Sequence, residues 1–526
     1  MLPRPSLTLL AFVSLSCSLT LPPAPQMGGN GGGSAGSGAP GTGGANGGNG
    51  AGRGGAGAAG TSGAAGTGGA VSKGGAGGAG GTGGATGVGG TGGAGGSAGA
   101  GGATGSGGAG NQMWQASTMI DSGKTPRVAM GGSTAALVWL TLGASWEVYG
   151  RVYKDGGTWS DATRLQEQFG GMWTDASTPV LAMNAHGVAI VTWKQGGNFE
   201  QDAAFNDRLA VPPSQGDGWS TPITSSGGGY VDPMVSLGMN DASDRGAWVY
   251  GINGYIQERD FVSVSTSGPG GSISFPGNLV ACPSVSSNLR GDSMAAWIEK
   301  PSSGSWLVTA RLLTNAVPTP DPMTIGTGDP EMLGCPLVAI DDLGRAIAVW
   351  TVTSGGTSRI TYRTYDSTAQ WAANPTTVDM GAQGAFNPNL ALSPTGEGAI
   401  VWELALGADA GAARDICALH FQLGRGVVAD ANGPQTTGST PPAAAPRIVV
   451  AGPGTVVDVW TQAGRIWSNT FTTAGGGWGA ASPIDTVRTN YTSQNPDLAT
   501  DGKGRALAAW ESTTGGIPDV VVARFE

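Results

Sequence analysis

The chain has 526 residues, of which 98 are glycine, and its formal net charge is -10 at pH 7. Only 12% of the residues are charged, whereas surfaces that bind nucleic acids or anionic membranes are rich in Lys and Arg. The composition therefore excludes nucleic acid as an expected partner and leaves a lipid anchor as the one expected route to a membrane.

Residues 1–26 have the layout of a secretory signal peptide. Arg4 precedes a short apolar run from Leu7 to Leu15, and small residues and a proline-rich exit follow. Cys17 resembles the lipidated cysteine of a bacterial lipoprotein signal, although Ser14 occupies the place where that motif prefers Leu. We therefore expect an exported protein, either anchored to a cell surface or outer membrane through Cys17 or freely secreted.

Residues 27–111 consist almost entirely of Gly, Ala, Ser and Thr, so they lack the side chains needed to build a core. The sequence predicts a disordered linker. A glycine at every third position from Gly75 to Gly108 is also compatible with a polyglycine helix bundle, but collagen would require proline, which is missing there. Such spacers resemble those of secreted and surface proteins of high-GC bacteria such as myxobacteria.

Residues 112–526 contain eight repeats, each marked by a Trp that follows a Pro by 13 to 15 residues. The tryptophans are Trp139, Trp193, Trp248, Trp297, Trp350, Trp402, Trp460 and Trp510. The prolines are Pro126, Pro179, Pro233, Pro283, Pro336, Pro388, Pro446 and Pro496. The pattern predicts one repeat domain over this whole region.

Each repeat reads as four antiparallel strands. In the fifth repeat the apolar run 337–340 is followed by a turn with Gly344, a second apolar run that ends at Trp350, and a third strand over 359–365. Several repeats add a second Trp before the next turn, for example Trp371 and Trp478. Four strands in about 50 residues are typical of one blade of a β-propeller.

The two ends of the domain predict that it closes on itself. The last repeat stops after its third strand, whereas the segment 114–121 matches the fourth-strand segment 478–485. We therefore predict an all-β, eight-bladed β-propeller whose N-terminal strand completes the last blade. An open solenoid is the alternative, although it would not require a split repeat.

The succession of apolar strand, polar turn with Gly, apolar strand and Trp resembles the propellers of the sialidase superfamily and related BNR-like bacterial repeat proteins. The resemblance covers 112–526 and implies a propeller fold. The Asp-box of that family, Ser-x-Asp-x-Gly-x-x-Trp, differs in spacing, because Trp350 lies six residues after Gly344. We assign neither the arginine triad nor the Tyr/Glu pair of catalytic sialidases in this chain.

Few residues offer metal or nucleophile chemistry. The two histidines, His186 in a turn and His420 in a third strand, belong to different repeats, which nearly excludes a histidine triad or a His-rich metal site. Carboxylates in the turns, namely Asp341, Asp342 and Asp501, are expected to cap those turns, with a Ca²⁺ site as the alternative. No other cofactor is predicted.

Two cysteines occupy equivalent positions in neighbouring repeats. Cys282 and Cys335 each precede the repeat proline, so in an exported protein they can form a disulfide if their Cα atoms lie within about 7 Å. Free thiols are the alternative. Cys417 is left over and is predicted to be a buried thiol.

The predicted face that carries function holds the loops after the anchor tryptophans and the segments that lead into the prolines. Aromatic rings and polar groups there can stack on sugars or form protein contacts, or can simply fill gaps between blades. The candidate binding residues are Trp146, Trp173, Lys194, Tyr230, Tyr255, Glu299, Trp306, Phe386, Glu403, Tyr491 and Glu511.

Three functions remain open from the sequence. The first is a non-catalytic, monomeric propeller that binds an extracellular glycan or protein. The second is a glycoside hydrolase or lyase with Glu403 and Glu511 as acid and base, although solvated loop carboxylates are the simpler interpretation. The third is a structural spacer in an envelope assembly.

Overall fold

A computed structural model describes residues 112–526 apart from short segments, and the predicted signal peptide and linker lie outside the described residues. The segments left out are 155–157, 167–174, 196–203, 211–218, 220–222, 225–230, 240–245, 253–254, 264–265, 268–270, 315–316, 319–320, 329–332, 369, 379–383, 407–412, 426–431, 437–440 and 486–489. In the described part there is no helix long and apolar enough to cross a membrane.

The described residues form eight antiparallel sheets of four or five strands, which we number in chain order. Sheet 1 contains β2 (Lys124–Gly131), β3 (Thr134–Leu142), β4 (Trp146–Lys154), β5 (Thr158–Trp159) and β6 (Thr163–Arg164). Sheet 2 contains β7 (Ala176–Met183), β8 (Ala189–Gln195), β9 (Ala204–Ala210) and β10 (Ile223–Thr224). Sheet 3 contains β11 (Val231–Met239), β12 (Gly246–Ile252), β13 (Tyr255–Ser263), β14 (Thr266–Ser267) and β15 (Gly271–Ser272). Sheet 4 contains β16 (Leu279–Ser287), β17 (Asp292–Lys300), β18 (Trp306–Thr314), β19 (Val317–Pro318) and β20 (Met323–Gly328).

The remaining sheets repeat this arrangement. Sheet 5 contains β21 (Leu337–Ile340), β22 (Ala346–Ser354), β23 (Thr357–Asp366), β24 (Gln370–Trp371) and β25 (Thr376–Val378). Sheet 6 contains β26 (Ala385–Leu392), β27 (Glu397–Ala405), β28 (Arg414–Gln422) and β29 (Asn432–Pro434). Sheet 7 contains β30 (Ala443–Gly452), β31 (Thr455–Gln462), β32 (Arg465–Thr472), β33 (Gly477–Trp478) and β34 (Ser482–Pro483). Sheet 8 contains β35 (Thr492–Thr500), β36 (Ala506–Thr513), β37 (Asp519–Phe525) and β1 (Thr118–Ser122).

The first strands of successive sheets contact one another in sequence order, and the contacts return to the start. The strands β2, β7, β11, β16, β21, β26, β30 and β35 follow each other in this way, and β35 also contacts β2. Such a cycle of sheets around shared first strands is the arrangement expected of a β-propeller.

The N-terminal strand completes the last sheet, which confirms the predicted pairing. β1 pairs antiparallel with β37, and Trp114 forms a bridge to Phe525 with the ring centroids 5.5 Å apart. Only Gly123 separates β1 from β2, and a side chain there would collide with the Trp139 ring. The glycine therefore lets the chain pass from sheet 8 into sheet 1 without a loop.

The hydrophobic core is divided among the interfaces between neighbouring sheets. Buried clusters join sheets 1 and 2, 3 and 4, 4 and 5, 5 and 6, 6 and 7, 7 and 8, and 8 and 1. Seven anchor tryptophans are fully buried in these interfaces, and the side chain of the eighth, Trp248, is outside the described residues. The predicted Trp therefore packs between neighbouring sheets and holds them together. Truncating such a buried aromatic typically lowers the free energy of unfolding by about 3–5 kcal/mol.

Candidate functional site

The ring of sheets has two faces, which we name by their connections. The turn face carries the tight turns between first and second strands, and the loop face carries the connections between second and third strands and the segments that enter first strands. Both ends of the described chain lie at the turn face, because the Met113 amide bonds the Glu526 carbonyl at 2.9 Å and Gln112 Nε2 bonds the Gly504 carbonyl at 2.8 Å.

A bulge recurs at the loop-face end of the first strands. The residue directly before the repeat proline has a positive φ in five described repeats, although none of these residues is glycine: Thr125, Cys282, Asn387, Ala445 and Asn495. The pairing register with the second strand shifts at the same place. Such a backbone costs roughly 1–3 kcal/mol per residue, so the surrounding contacts must hold it.

Buried carboxylates hold two of these bulges. Glu403 Oε1 accepts the Ala445 amide of the next sheet at 2.9 Å and Asn387 Nδ2 at 2.8 Å, while its Oε2 lies 2.7 Å from Arg414 Nη1. Glu511 repeats the arrangement, since its Oε1 accepts the Thr125 amide of sheet 1 at 2.7 Å. Both carboxylates therefore act as struts from one sheet to the next.

A disulfide occupies the corresponding place between sheets 4 and 5. Cys282 and Cys335 are bonded, with their Cα atoms 5.2 Å apart, which is well within the reach of a disulfide. Cys335 is exposed and Cys282 is half-buried, so the bond is open to solvent on the loop face. Cys417 is buried in β28, outside this bond.

The residue after the repeat proline forms a second set of ties. The side chain of this residue accepts a first-strand amide of the next sheet in three repeats: Asp497 bonds Val128 N at 2.9 Å, Asn389 bonds Ile448 N at 3.0 Å and Ser284 bonds Val338 N at 3.3 Å. These bonds satisfy amides on the inner edge of the first strands, which has no neighbouring strand.

Trp146 is the candidate binding aromatic with the most polar surroundings. Its half-buried ring lies at the start of β4, and the Lys124 ammonium stands over the ring at 3.4 Å from the centroid. The exposed Asp175 accepts the Trp146 amide at 2.8 Å. An aromatic ring with a cation over it and a carboxylate at its backbone amide is suited to a ligand with an apolar face and polar edges, such as a sugar.

Several residues predicted for the binding face have buried side chains, and the binding role of these candidates stays a prediction. Phe386 is fully buried beneath Arg414, and Trp306 packs in the core between sheets 4 and 5. Glu403 and Glu511 are not solvated loop charges, because β27 and β36 continue past their anchor tryptophans and turn both side chains toward the next sheet. Glu299 is also buried, and it accepts bonds from Trp297 Nε1 and Thr309 Oγ1.

The other candidates remain at or near the loop face. Lys194 lies on β8 and Tyr255 at the start of β13, Tyr491 directly precedes β35, and all three are half-buried. Trp173 and Tyr230 lie outside the described residues. Sequence reasoning missed Lys124 and Asp175; their positions shortly before Pro126 and Pro179, at the loop-face ends of first strands, were the available signal.

The carboxylates of the acidic turns accept hydrogen bonds from groups of the protein itself. Asp341 Oδ1 accepts the amides of Leu343 and Arg345, and its Oδ2 lies 2.7 Å from Arg345 Nε. Asp501 repeats these contacts with Lys503 and Arg505. Within the described ranges no group of three His, Cys, Asp or Glu side chains could hold a metal ion.

The histidines lie apart from each other. His186 is in the turn between β7 and β8, where Asn184 Oδ1 accepts its amide. His420 is buried in β28, with Nε2 3.0 Å from Glu397 Oε1 and its ring stacked on Phe471. Burial raises the pKa of Glu397, and the bond to His420 together with the Gly454 amide lowers it, so that the net pKa falls below its ordinary value. This pair also joins sheets 6 and 7.

Comparisons with known proteins give distant structural similarity only. No family model and no curated protein sequence matches the chain. A lectin from Burkholderia pseudomallei is 14% identical, with 69% of this chain and 99% of the lectin covered and a TM-score of 0.43. The Dos1 propeller is 11% identical over 79% of this chain and 95% of its own, with a TM-score of 0.46. An α-L-arabinanase from Penicillium chrysogenum is 12% identical over 59% and 98%, with a TM-score of 0.36.

Proposed function

We propose that the eight sheets are the eight blades of one closed β-propeller, and that this propeller binds an extracellular glycan on its loop face without catalysing a reaction. The observation that carries the proposal is the half-buried Trp146 ring on that face, with the Lys124 ammonium over the ring and the Asp175 carboxylate bonded to the Trp146 amide. Sugars bind such sites by placing their apolar C–H face on an aromatic ring and their hydroxyls on charged or amide groups.

Burial of the predicted acid and base supports binding rather than hydrolysis. A glycosidase needs two carboxyl groups that reach the glycosidic bond. Glu403 and Glu511 are buried and bonded to backbone amides of neighbouring sheets, so they cannot reach a sugar without breaking the inter-sheet ties. A hydrolase or lyase, the alternative from the sequence, would need other acids. A protein ligand or a spacer role would use the same face without sugar binding.

We propose an exported protein, lipidated at Cys17 or secreted, whose loop face is the binding face. We expect the protein to be a monomer, with no cofactor.

A glycan array probed with the full chain, followed by affinity measurements, tests this proposal. Trp146→Ala should weaken binding of the selected glycan about tenfold, because the stacking surface is lost. Phe275→Ala is the matched control, since it removes an exposed aromatic from the loop-face side of sheet 4 and should leave the affinity unchanged. Binding to no glycan, or equal loss in both variants, contradicts the proposal; release of sugar from a bound glycan contradicts its non-catalytic part.

A further inference from the structure

Three cationic side chains lie on the first strands of sheets 1 and 7, at their loop-face ends, in a protein that is acidic overall. Lys124 and Arg127 lie on β2 on either side of the bulge at Thr125, and Arg447 lies on β30, two sheets away around the ring. Between them stands Asp497 on β35, whose strand contacts both β2 and β30. We call Lys124, Arg127 and Arg447 the cationic arc.

Lys124 is held by a ring and by no carboxylate. Its ammonium lies 3.4 Å from the Trp146 centroid, and no ion pair joins it to a carboxylate within the described part of the chain. A cation–π contact at a partly exposed site is worth only about 0.5–1 kcal/mol. The ammonium can therefore turn from the ring to an anion at little cost, which would also free the ring face for a sugar.

Arg127 and Arg447 break the pattern of ties around the ring. Both stand directly after the repeat proline, the position at which Ser284, Asn389 and Asp497 accept an amide from the next sheet. A guanidinium has no acceptor atom, so it cannot make that tie. Each arginine instead donates Nη1 to the carbonyl of its own preceding proline at 2.9 Å. Arg447 approaches sheet 8 through Asp497, 3.8 Å away, and within the described residues Arg127 has no hydrogen bond or ion pair to the next sheet.

The nearby carboxylates compensate this charge only in part. Asp497 Oδ1 is 3.8 Å from Arg447 Nε, while Oδ2 of the same carboxylate accepts the Val128 amide. Burial lowers the pKa of Arg447, Asp497 raises it, and the proximity of Arg127 lowers it further. Glu403 is paired with Arg414, and Glu511 is turned to the Thr125 amide. Two guanidiniums thus stand near one carboxylate that also accepts a backbone amide, and about a third of the Arg447 side chain is exposed.

We propose that the cationic arc binds the anionic group, a carboxylate or a sulfate, of an acidic glycan whose sugar ring lies on Trp146. This inference rests on the proposed glycan binding and names its ligand class. Guanidinium and ammonium groups form charge-assisted hydrogen bonds with such anions, about twice as strong as those to neutral hydroxyls. Neutral sugars would gain only the ring contact.

The test measures affinities of the full chain for three oligosaccharides of equal length: an oligogalacturonate, a sulfated galactan fragment and a neutral galactan fragment. The variants are Lys124→Gln, Arg127→Gln and Arg447→Gln. Lys503→Gln is the matched control, because it removes an exposed positive charge from the turn face. We expect each arc variant to weaken binding of the preferred acidic chain about tenfold and of the neutral chain less than twofold, while the control changes neither.

The outcomes separate this inference from the proposed function. Tighter binding of the carboxylated or of the sulfated chain supports it and identifies which anion is bound. Equal binding of neutral and acidic chains, or arc variants that behave like Lys503→Gln, overturns the anionic preference but leaves glycan binding intact. Binding of none of the three chains, nor of any glycan on the array, overturns both. Unchanged melting temperatures and recovery of affinity in Lys124→Arg verify that the variants remain folded.

Discussion

The turn face and the loop face of this domain join the same neighbouring sheets by different means. On the turn face one device recurs: an Asp or Asn opens the turn and accepts its amides, as at Asn184, Asn288, Asp341 and Asp501. On the loop face the ties are of several kinds, with a disulfide between sheets 4 and 5 and carboxylate struts between 6 and 7 and between 8 and 1.

The turn-face device also reaches across to the next sheet. Arg345, held by Asp341, donates to the Leu423 carbonyl of sheet 6 at 2.9 Å, and Arg505, held by Asp501, donates to the Gly132 carbonyl of sheet 1 at 2.7 Å. A repeated contact of this kind serves the scaffold. Where the chemistry varies, as on the loop face, the fold does not dictate the side chain, and residues such as Arg127 and Arg447 can serve a ligand.

The largest expected effect comes from opening the ring where the chain enters at the turn face. Deletion of 112–122 removes β1 and Trp114 and exposes the edge of β37, so we expect the melting temperature to fall by more than about 10 °C. Differential scanning calorimetry measures the change. Met119→Ser, at a residue that is 44% exposed in the same strand, is the control and should melt like the wild type. An unchanged melt of the deletion variant would show that the ring does not depend on closure.

A smaller effect is expected from the disulfide on the loop face. The bond links cysteines 53 residues apart, for which the loop-entropy account gives at most about 4 kcal/mol. Reduction should lower the melting temperature by about 5 °C. The Cys282→Ser/Cys335→Ser double variant should start at the lower value and be insensitive to reductant. If Cys282 and Cys335 of the folded domain react with an alkylating agent before reduction, the disulfide is absent.

The smallest effect is expected from the ionisation of a buried side chain, Asp458, which lies between the two faces. Asp458 on β31 is fully buried; its Oδ1 accepts the Asn469 amide, and its Oδ2 has no partner in the described part of the chain. Burial raises the pKa of Asp458 well above its ordinary value, while the Asn469 amide lowers it in part. The folded protein therefore keeps a proton that the unfolded chain loses above about pH 4.

The free energy of unfolding should thus decrease as the pH rises from about 4 toward the folded pKa of Asp458, because the folded state binds more protons there. Asp458→Asn mimics the protonated acid and should flatten this decrease in urea unfolding experiments at several pH values. Asp161→Asn, at an exposed carboxylate, is the control and should leave the slope unchanged. Equal slopes for the wild type and Asp458→Asn would mean that Asp458 is ionised when buried.

The periodic features of the fold could be predicted from the sequence because they depend on local patterns. The Pro to Trp spacing identified the repeats, alternating apolar runs identified their strands, and the match between 114–121 and 478–485 identified the strand that pairs with β37. The tight turns with Gly344 and Gly504 were also predicted from the sequence, because glycine tolerates a positive φ. Both glycines have a positive φ in the structure.

The exposure of individual side chains on the loop face was decided only by the tertiary structure. Glu403 and Phe386 resemble loop residues in the sequence, yet the bulge before Pro446 places an amide against Glu403, and Arg414 covers Phe386. Lys124 and Trp146 are 22 residues apart, and only the pairing of β2, β3 and β4 brings the ammonium over the ring. Strand periodicity depends on neighbours along the chain, whereas burial and charge compensation depend on what the next sheet supplies.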